Sequence, residues 1–582
     1  MFTVSAALAV NLIAVSQLKS MHDATNARVQ AAQAALASAG LPTALGPLMV
    51  PRVAACFPEG MALTPEMLAS FDRAMGRGPF EDRYNIGGSW AYGAPTVVTW
   101  SLIPDGLVIP SVGISGETDS PSTLFATMDA NFPSRELWIG LVQSSFDRWG
   151  EVCGIKFTRI QSEGNDWDDG ETFFAPGSAT RGSIRIGMHP VGPQPLAYAY
   201  GPPNGNVVID SNDIITFTNP ANDYRRFRNV LQHELGHAIG LAHACPQNTT
   251  KLMEPTSTTA FDGVRHDEIR AVQVNYGDFY EINDTPAMAA DLGAIAPGAF
   301  LFGTPPGPAV TNGSTMGISV DSDVDYFRVS VSVPTLLVAT VTPLGTTYAS
   351  GTQNGDGSCS SGTSFNSAQI QRLEFQLLQS NQTLLGTSTG TASTTLARKL
   401  IPPGDYLVKI YSIIPHGFDN GSQLYSFGGT AIRANVTASA NIVRQIDVSW
   451  PTALTGASYD VYRAPVSPAG AEVSLGTTSA ISISDSDVVP GVQYRYRVIG
   501  TQPGGAPVEY ELGMGTALAG GCPADFNGDG QVDDADFVIF VGAYNILEIP
   551  SANPWCDLTA DLVVDDQDFV QFVAAYAELL CP

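Results

Sequence analysis

The period of the apolar positions changes several times along the first half of the chain. Alternation over 96–102, with Val97, Val98, Trp100 and Leu102, predicts a strand. Residues 134–149 place Leu137, Leu141, Phe146 and Trp149 on one side of a helix. Short strands are predicted at 155–160, 183–186 and 207–210, and a long helix at 224–240. Strands and helices mixed in this order predict an α+β domain over 86–279. Upstream, 26–38 is rich in Ala and Gln and reads as helical, followed by Pro- and Gly-punctuated chain. The apolar run at 6–15 is too short to span a bilayer and lies where the core of a signal peptide would lie. Ala14-Val15-Ser16 offers small residues for cleavage, but no basic stretch precedes the run. Residues 1–20 are therefore expected to be a weak or truncated signal peptide, and 21–85 a candidate pro-segment.

Beyond Tyr280 helical periodicity nearly disappears. Residues 280–436 are rich in Ser, Thr and Gly, with β-type runs at 326–331 and 406–411, and a jelly-roll-like β-sandwich is expected. The segments 281–285 (EINDT), 323–327 (DVDYF) and 402–406 (PPGDY) resemble markers of bacterial pre-peptidase C-terminal domains. In 437–519, Trp450 and the runs 459–463 and 494–498 resemble the core strands of fibronectin type III domains. An unclassified β-sandwich is the alternative there, and neither version implies chemistry. Residues 520–582 contain an internal repeat, in which 525–537 recurs as 557–569.

Composition narrows the function. Lys plus Arg is 28 against 56 for Asp plus Glu, a net charge of −28. Nothing here could neutralise a row of phosphates, which argues against nucleic-acid binding. No other stretch of the chain is long and apolar enough for a membrane span, so an exported protein is expected. An odd count of 7 cysteines leaves at least one thiol unpaired within the chain.

The segment that carries chemistry is 232–243, QHELGHAIGLAH. His233 and His237 are four apart and project from one helix face, one turn above the other. Glu234 lies beside them, within reach of a metal-held water. Gly240 can adopt positive φ, ending the helix and letting the chain swing back to bring His243 to the same ion. Three neutral imidazoles leave a tetrahedral zinc one open position for water, and Glu234 can take that water's proton. With these residues the chain resembles the metzincin metallopeptidases, and within them the matrixins. Met253, in 252–255 (LMEP), looks like the Met-turn of that family, whose side chain underlies the zinc. Residues 267–277 look like the matrixin C-terminal helix, and 135–149 followed by 155–157 like its first helix and second strand.

Departures from the family pattern matter too. Ala244 and Cys245 follow the third His, where matrixins usually have Ser, and the loop from His243 to Met253 is slightly long. Tyr198 and Val208 fall near two positions of the family's structural-zinc histidines, and His189 is followed by Pro190, so one catalytic zinc and no second zinc is expected. Asp210 and Asp213 are either a calcium site of the catalytic domain or an ordinary acidic turn. Matrixin zymogens keep a pro-segment thiolate on the zinc within a Pro-Arg-Cys-Gly motif. Here Pro51-Arg52 precedes Cys56 by a displaced spacing without the Gly, so Cys56 is a cysteine switch, a disulfide partner or an idle thiol. Pairing among Cys153, Cys245 and Cys359 is left open by sequence.

The tail offers a second metal. Asp525, Asn527, Asp529, Gln531, Asp533 and Asp536 stand at ligand positions of a calcium loop, with Gly530 at the sharp turn. The second copy offers Asp557, Thr559, Asp561, Val563, Asp565 and Asp568, with Leu562 in place of the glycine, so weaker affinity is expected. The solvated acidic hairpin is the alternative for each. Asp at the twelfth position resembles dockerin modules, which implies either docking to a cohesin-like scaffold or calcium-stabilised structure alone. Cys522 and Cys581 flank the module and could clasp its ends.

Together these readings predict a multidomain chain: an α+β metzincin domain, two β-sandwiches and a small α-helical calcium-loop pair. The expected function is a secreted zinc-dependent endopeptidase acting on proteins, the substrate lying antiparallel to an edge strand near 206–210. The rival is a calcium-dependent cell-surface adhesion or scaffold-binding protein with an inactive protease-like domain, and intact Glu234 separates the two.

Overall fold

The computed structural model describes residues 53–59, 61, 89–91 and 93–578, apart from 115, 194, 304–314, 352–358, 391, 415–421, 452–454 and 550–551. The expected signal peptide and most of the expected pro-segment, with its helix at 26–38, lie outside the described residues, as does Cys581.

The α/β part is a six-stranded sheet with helices packed on it. Its strands are β1 (Val53–Cys56), β2 (Thr96–Leu102), β3 (Ile155–Arg159), β4 (Ile184–His189), β5 (Ala197–Tyr200) and β6 (Val207–Asp210). Their spatial order is β1-β5-β6-β4-β2-β3. The pairs β2–β3, β2–β4 and β4–β6 are parallel, whereas β5–β6 and β1–β5 are antiparallel. Strands β4, β5 and β6 are buried along their whole length, as expected where both faces of a sheet are covered. The edge expected near 206–210 is therefore corrected: β6 is interior, held between β4 and β5, and β5 in turn carries β1 on its other side. Two adjacent, wholly apolar strands look alike in sequence, and only hydrogen-bond partners distant in the chain distinguish edge from interior.

The longer helices among the described residues of this part are α1 (Leu124–Asn131), α2 (Arg135–Gly150), α3 (Arg225–Ala238) and α4 (His266–Tyr276). Helix α2 begins where the Ser134 side chain accepts a hydrogen bond from the Leu137 N–H, an N-cap with Glu136 in the first turn. Its Trp149 Nε1–H donates to the Gln232 carbonyl at 3.0 Å, fastening α2 to α3. Trp100, Phe146, Trp149, Leu235 and Met253 share the core between sheet and helices.

Downstream, two five- to six-stranded sheets built from 290–433 face one another across a common core that includes Phe327, Leu337, Phe375, Val408 and Phe427. A smaller pair of sheets within 437–518 encloses Val448, Trp450, Tyr459, Tyr496 and Val498. Alternation of buried and exposed positions, as in Gln493–Thr501, gives each strand one inward face. The first sandwich is sewn to α4: Arg270 Nε donates to the Ser422 carbonyl at 2.7 Å, and Ser422 Oγ donates to Gln273 Oε1 at 2.9 Å. The chain ends in α5 (Asp534–Tyr544) and α6 (Asp566–Tyr576). Each opens with a capping box in which an Asp at the N-cap and an Asp three residues on exchange hydrogen bonds.

Candidate active site and metal centre

Helix α3 carries His233, Glu234 and His237, all of them buried. The helix closes at Gly240, whose φ of 104° takes the chain into the left-handed region the sequence called for. Its last carbonyls are met from outside: Trp90 Nε1–H donates to Ala238 at 2.9 Å and Tyr276 O–H to Ile239 at 2.7 Å. The return of the chain brings the His243 ring within 5.4 Å of His233 and 4.8 Å of His237, centroid to centroid. One nitrogen from each of the three rings lies within 4.8 Å of the others.

The hydrogen bonds determine which nitrogens face inward. His233 Nδ1 lies 2.7 Å from the Leu252 carbonyl and His237 Nδ1 2.7 Å from the Leu241 carbonyl. Carbonyls only accept, so both Nδ1 atoms carry the proton and both Nε2 atoms present lone pairs. Those two Nε2 atoms are 3.0 Å apart. Burial lowers the His233 pKa to about 4, keeping the ring neutral, as a metal ligand must be. Both carboxylate oxygens of Glu234 are buried without a hydrogen-bond partner among the described residues, and burial pushes this carboxyl well up. This donor set fits a zinc ion held by the three histidines with Glu234 alongside.

Beneath the site, Met253 lies against α3. A methyl group added at Gly236 would fall 2.4 Å from the Met253 sulphur, so glycine lets the Met-turn approach the helix. Glu268 on α4 fixes that turn by accepting the Met253 N–H at 3.1 Å and the Arg265 N–H at 2.9 Å. Glu254 organises the loop before it, accepting the N–H groups of Asn248, Thr249, Thr250 and Lys251 at 2.6 to 3.0 Å. Neither glutamate stood out in the sequence; acidic residues just after a Met-turn and at the third position of a helix were the available signals. A disulfide joins Cys245, two residues past the third histidine, to Cys359 in the first sandwich.

Cys56 is free and wholly buried. Its Sγ, a ring nitrogen of His233 and a Glu234 oxygen all lie within 4.8 Å of one another. Burial, and then the Glu234 charge, push this thiol up. Cys153 is also free and buried, and its Sγ–H donates to the Trp149 carbonyl of α2 at 3.3 Å. The position considered for a second zinc holds another network. His189 Nε2 lies 3.1 Å from Glu117 Oε1, and Tyr198 O–H donates to the same oxygen at 2.9 Å. Burial pushes the Glu117 carboxyl up, but these bonds and those from Ser111 and Val112 outweigh it and hold it low. Asp210 accepts the N–H groups of Val191 and Asn212, and Asp213 is pushed up to about 6 by burial and by the Asp210 charge. Among the described residues neither belongs to a group of three ligand atoms.

Two acidic groups lie elsewhere. Where the α/β part meets the first sandwich, oxygens of Glu281, Asp323 and Asp325 lie within 4.8 Å of one another. Asp278 stands close by; burial pushes it up to about 7 and Glu281 to about 8, with neighbouring carboxylates adding to both. Asn283, Asp323 and Asp325 have buried oxygens with no hydrogen-bond partner among the described residues. Such an all-oxygen donor set could hold a hard divalent cation. In the tail, the first loop folds on itself: Asp525 accepts from Gly528, Asp529 and Gly530, and Asp536 from Phe526, Asn527 and Asp533. Asn527, Gln531 and Asp533 belong to the same loop, with Asp529 accepting the Gln531 N–H. In the second, oxygens of Asp557, Asp561 and Asp568 come within 4.8 Å of one another. Thr559 donates to Asp557, Val563 N–H to Asp561 and Asp565 N–H to Asp568. Leu562 takes φ 74°, the strained conformation that glycine adopts at Gly530 in the first loop. Cys522 is disulfide-bonded.

The matrixin family model matches residues 128–277, and this stretch is a matrixin domain. The chain is 32% identical over 142 residues to Matrix metalloproteinase-18 of Xenopus laevis, covering 23% of this chain and 28% of that protein. It is 27% identical over 165 residues to Metalloendoproteinase 2-MMP of Arabidopsis thaliana, covering 27% of this chain and 42% of that one. The chain thus spans less than half the length of each of these relatives. Among solved structures, a two-domain fibronectin type III segment of chicken tenascin overlaps 31% of this chain and 97% of its own at 18% identity. Its TM-score is 0.16, too low to carry any argument.

Proposed function

We propose that this chain is a zinc-dependent endopeptidase that hydrolyses peptide bonds in proteins, with His233, His237 and His243 holding the metal and Glu234 as general base. The observation that carries the reading is the pair of Nε2 atoms 3.0 Å apart, each ring having its Nδ1 proton committed to a backbone carbonyl. Two neutral imidazoles facing lone pair to lone pair repel, and a cation between them removes the repulsion. A zinc ion held by these residues would supply a Lewis acid for the scissile carbonyl and would lower the pKa of a water to about 7. Glu234 would take a proton from the attacking water and pass it to the leaving amine. The carbonyls of Leu252 and Leu241 hold the two rings in orientation and tautomer. The substrate lies extended along β5, antiparallel to it, a reading supported by the extended segment β1 already paired there.

The disulfide between Cys245 and Cys359 supports an oxidising compartment outside the cell's cytosol. The paired acidic loops are calcium sites in this reading, ordering the tail. The test is zinc content and casein hydrolysis for the wild type beside Glu234→Ala, with and without a zinc chelator. One zinc per chain in both proteins, with chelator-sensitive cleavage only in the wild type, is the expected result. Bound zinc with no cleavage, even after removal of residues 1–60, would refute the enzyme and favour a calcium-dependent binding protein.

A further inference from the structure

Resting on that reading, we infer that residues 53–57 occupy the cleft in the manner of a substrate, and that the Ala55–Cys56 bond is the chain's own first cleavage site. Direction is the first support. Strand β1 runs antiparallel to β5, with Val53 opposite Tyr200, Ala54 opposite Ala199, Ala55 opposite Tyr198 and Cys56 opposite Ala197. A merely obstructing segment has no need of this register, whereas a peptide to be cut must lie with its backbone aligned to the wall.

The segment is also gripped from both sides. Leu196 N–H donates to the Cys56 carbonyl at 2.8 Å, on the β5 side. On the opposite side, Phe57 N–H donates to the Pro255 carbonyl at 3.0 Å and Ser257 N–H to the Phe57 carbonyl at 2.8 Å. Beyond the cleft, Glu59 pairs with Arg226 at 3.0 Å and accepts the Thr258 hydroxyl at 3.2 Å. Side chains alternate as on any strand. Val53, Ala55 and Phe57 pack with Tyr198 and Tyr200, while Ala54 meets Ala242 and the Cys56 sulphur lies by His233 and Glu234.

These contacts select one peptide bond. The Cys56 and Phe57 carbonyls are committed to Leu196 and Ser257, so neither is presented for attack. Glu234 stands beside Cys56, a carboxylate oxygen and the Cys56 Sγ lying within 4.8 Å of one another, and the nearby Cys56 N–H acts against the burial that pushes the carboxyl up. That nitrogen is the leaving group of the Ala55–Cys56 bond, and Glu234 is the residue that delivers its proton. Hydrolysis consumes one water: its oxygen joins the Ala55 carbonyl carbon and the C–N bond breaks. One water proton reaches the Cys56 nitrogen through Glu234 and the other follows from the new carboxyl group. The products are an Ala55 carboxylate and a Cys56 α-ammonium ion. The Cys56 thiol, close to the same ligands, competes for the position the water needs and slows this cut.

The test follows the full chain loaded with zinc by intact mass and N-terminal sequencing, beside casein hydrolysis in the same tube. The wild type should acquire a new N-terminus at Cys56, at a first-order rate unchanged by tenfold dilution, and Glu234→Ala should stay whole. Cys56→Ala should be cut at the same bond and faster. In Glu234→Ala, hydrogen exchange at the Phe57 amide, whose N–H donates to the Pro255 carbonyl, should be slowed by roughly a hundredfold or more relative to an unstructured peptide. Casein cleavage with the Ala55–Cys56 bond intact, a new terminus elsewhere, or an unprotected Phe57 amide would overturn this inference and leave the peptidase reading standing. Absence of self-cleavage in the zinc-loaded full chain would overturn this inference, and absence of casein cleavage after removal of residues 1–60 as well would overturn the peptidase reading too.

Discussion

Replacing Gly236 by alanine tests whether Met253 sets the floor of the three-histidine site. The new methyl group would fall 2.4 Å from the Met253 sulphur, 3.0 Å from its terminal carbon and 3.2 Å from the Trp149 ring. Two effects oppose each other. Alanine within a helix is favoured over glycine by about 1 kcal/mol. Over-packing a closed core costs about 1–3 kcal/mol, and the sulphur would have to retreat by roughly 1.4 Å to regain ordinary contact. Methionine is the most adaptable of core side chains at its far end. Here, however, Met253 is only 2% exposed, its N–H is held by Glu268 and its carbonyl by the Ala244 N–H. The steric cost therefore wins, leaving a net loss of up to about 2 kcal/mol. The matrixin domain's Tm should fall by up to about 8 °C. Zinc affinity, read by competition with a chromophoric chelator, should fall as well, because His233 and His237 flank the disturbed turn. Thermal melts followed by tryptophan fluorescence give the first number. In a Met253→Ala background the same change should instead stabilise by about 1 kcal/mol, since the obstruction is gone. An equal loss in both backgrounds, or none in either, would refute the steric account.

Three further outcomes are expected. Cys245→Ser, Cys359→Ser or reduction of the wild type should lower stability, because the bridge closes a separation of 114 residues, for which chain entropy alone predicts about 5 kcal/mol. Zinc affinity should weaken too, since the bridge anchors the loop after His243; unchanged melts and unchanged zinc competition would contradict this. At the Asp278–Glu281 cluster, folded-state pKa values of about 7 and about 8 lie above the ordinary carboxylate range. The folded chain therefore holds extra protons, so stability present at acid pH is lost as pH rises through 7 to 8. Calcium should flatten that decline, and Asp325→Asn should abolish the calcium response in melts at pH 8. In the tail, Asp536→Ala leaves the N–H groups of Phe526, Asn527 and Asp533 without their acceptor. It should lower the tail's stability by about 1–3 kcal/mol and remove calcium stabilisation of the first loop, measured by circular dichroism with calcium titration.

Much of the candidate site was legible because it is local. Helical geometry alone places His233 and His237 on one face, and Gly240 supplies the positive φ that returns His243 within a few residues. The strand at Thr96–Leu102 and the helices at Arg135–Gly150 and Arg225–Ala238 follow from period, which neighbouring residues decide among themselves, whereas the helix at His266–Tyr276 is expected from the resemblance to matrixins. Everything that depends on partners far along the chain had to wait for the tertiary structure. The strand β6 is interior rather than an edge, because β4 covers one side of it and β5 the other. Cys56 reaches Glu234 across nearly two hundred residues through a ladder whose register no local pattern encodes. Glu268, Cys359 and the carboxylates of Glu281, Asp323 and Asp325 take their roles from packing between elements that the sequence lists far apart. Chemistry written within a few helical turns is thus determined by sequence, whereas what covers that chemistry, braces it and lies in its cleft is decided by burial and long-range hydrogen bonding.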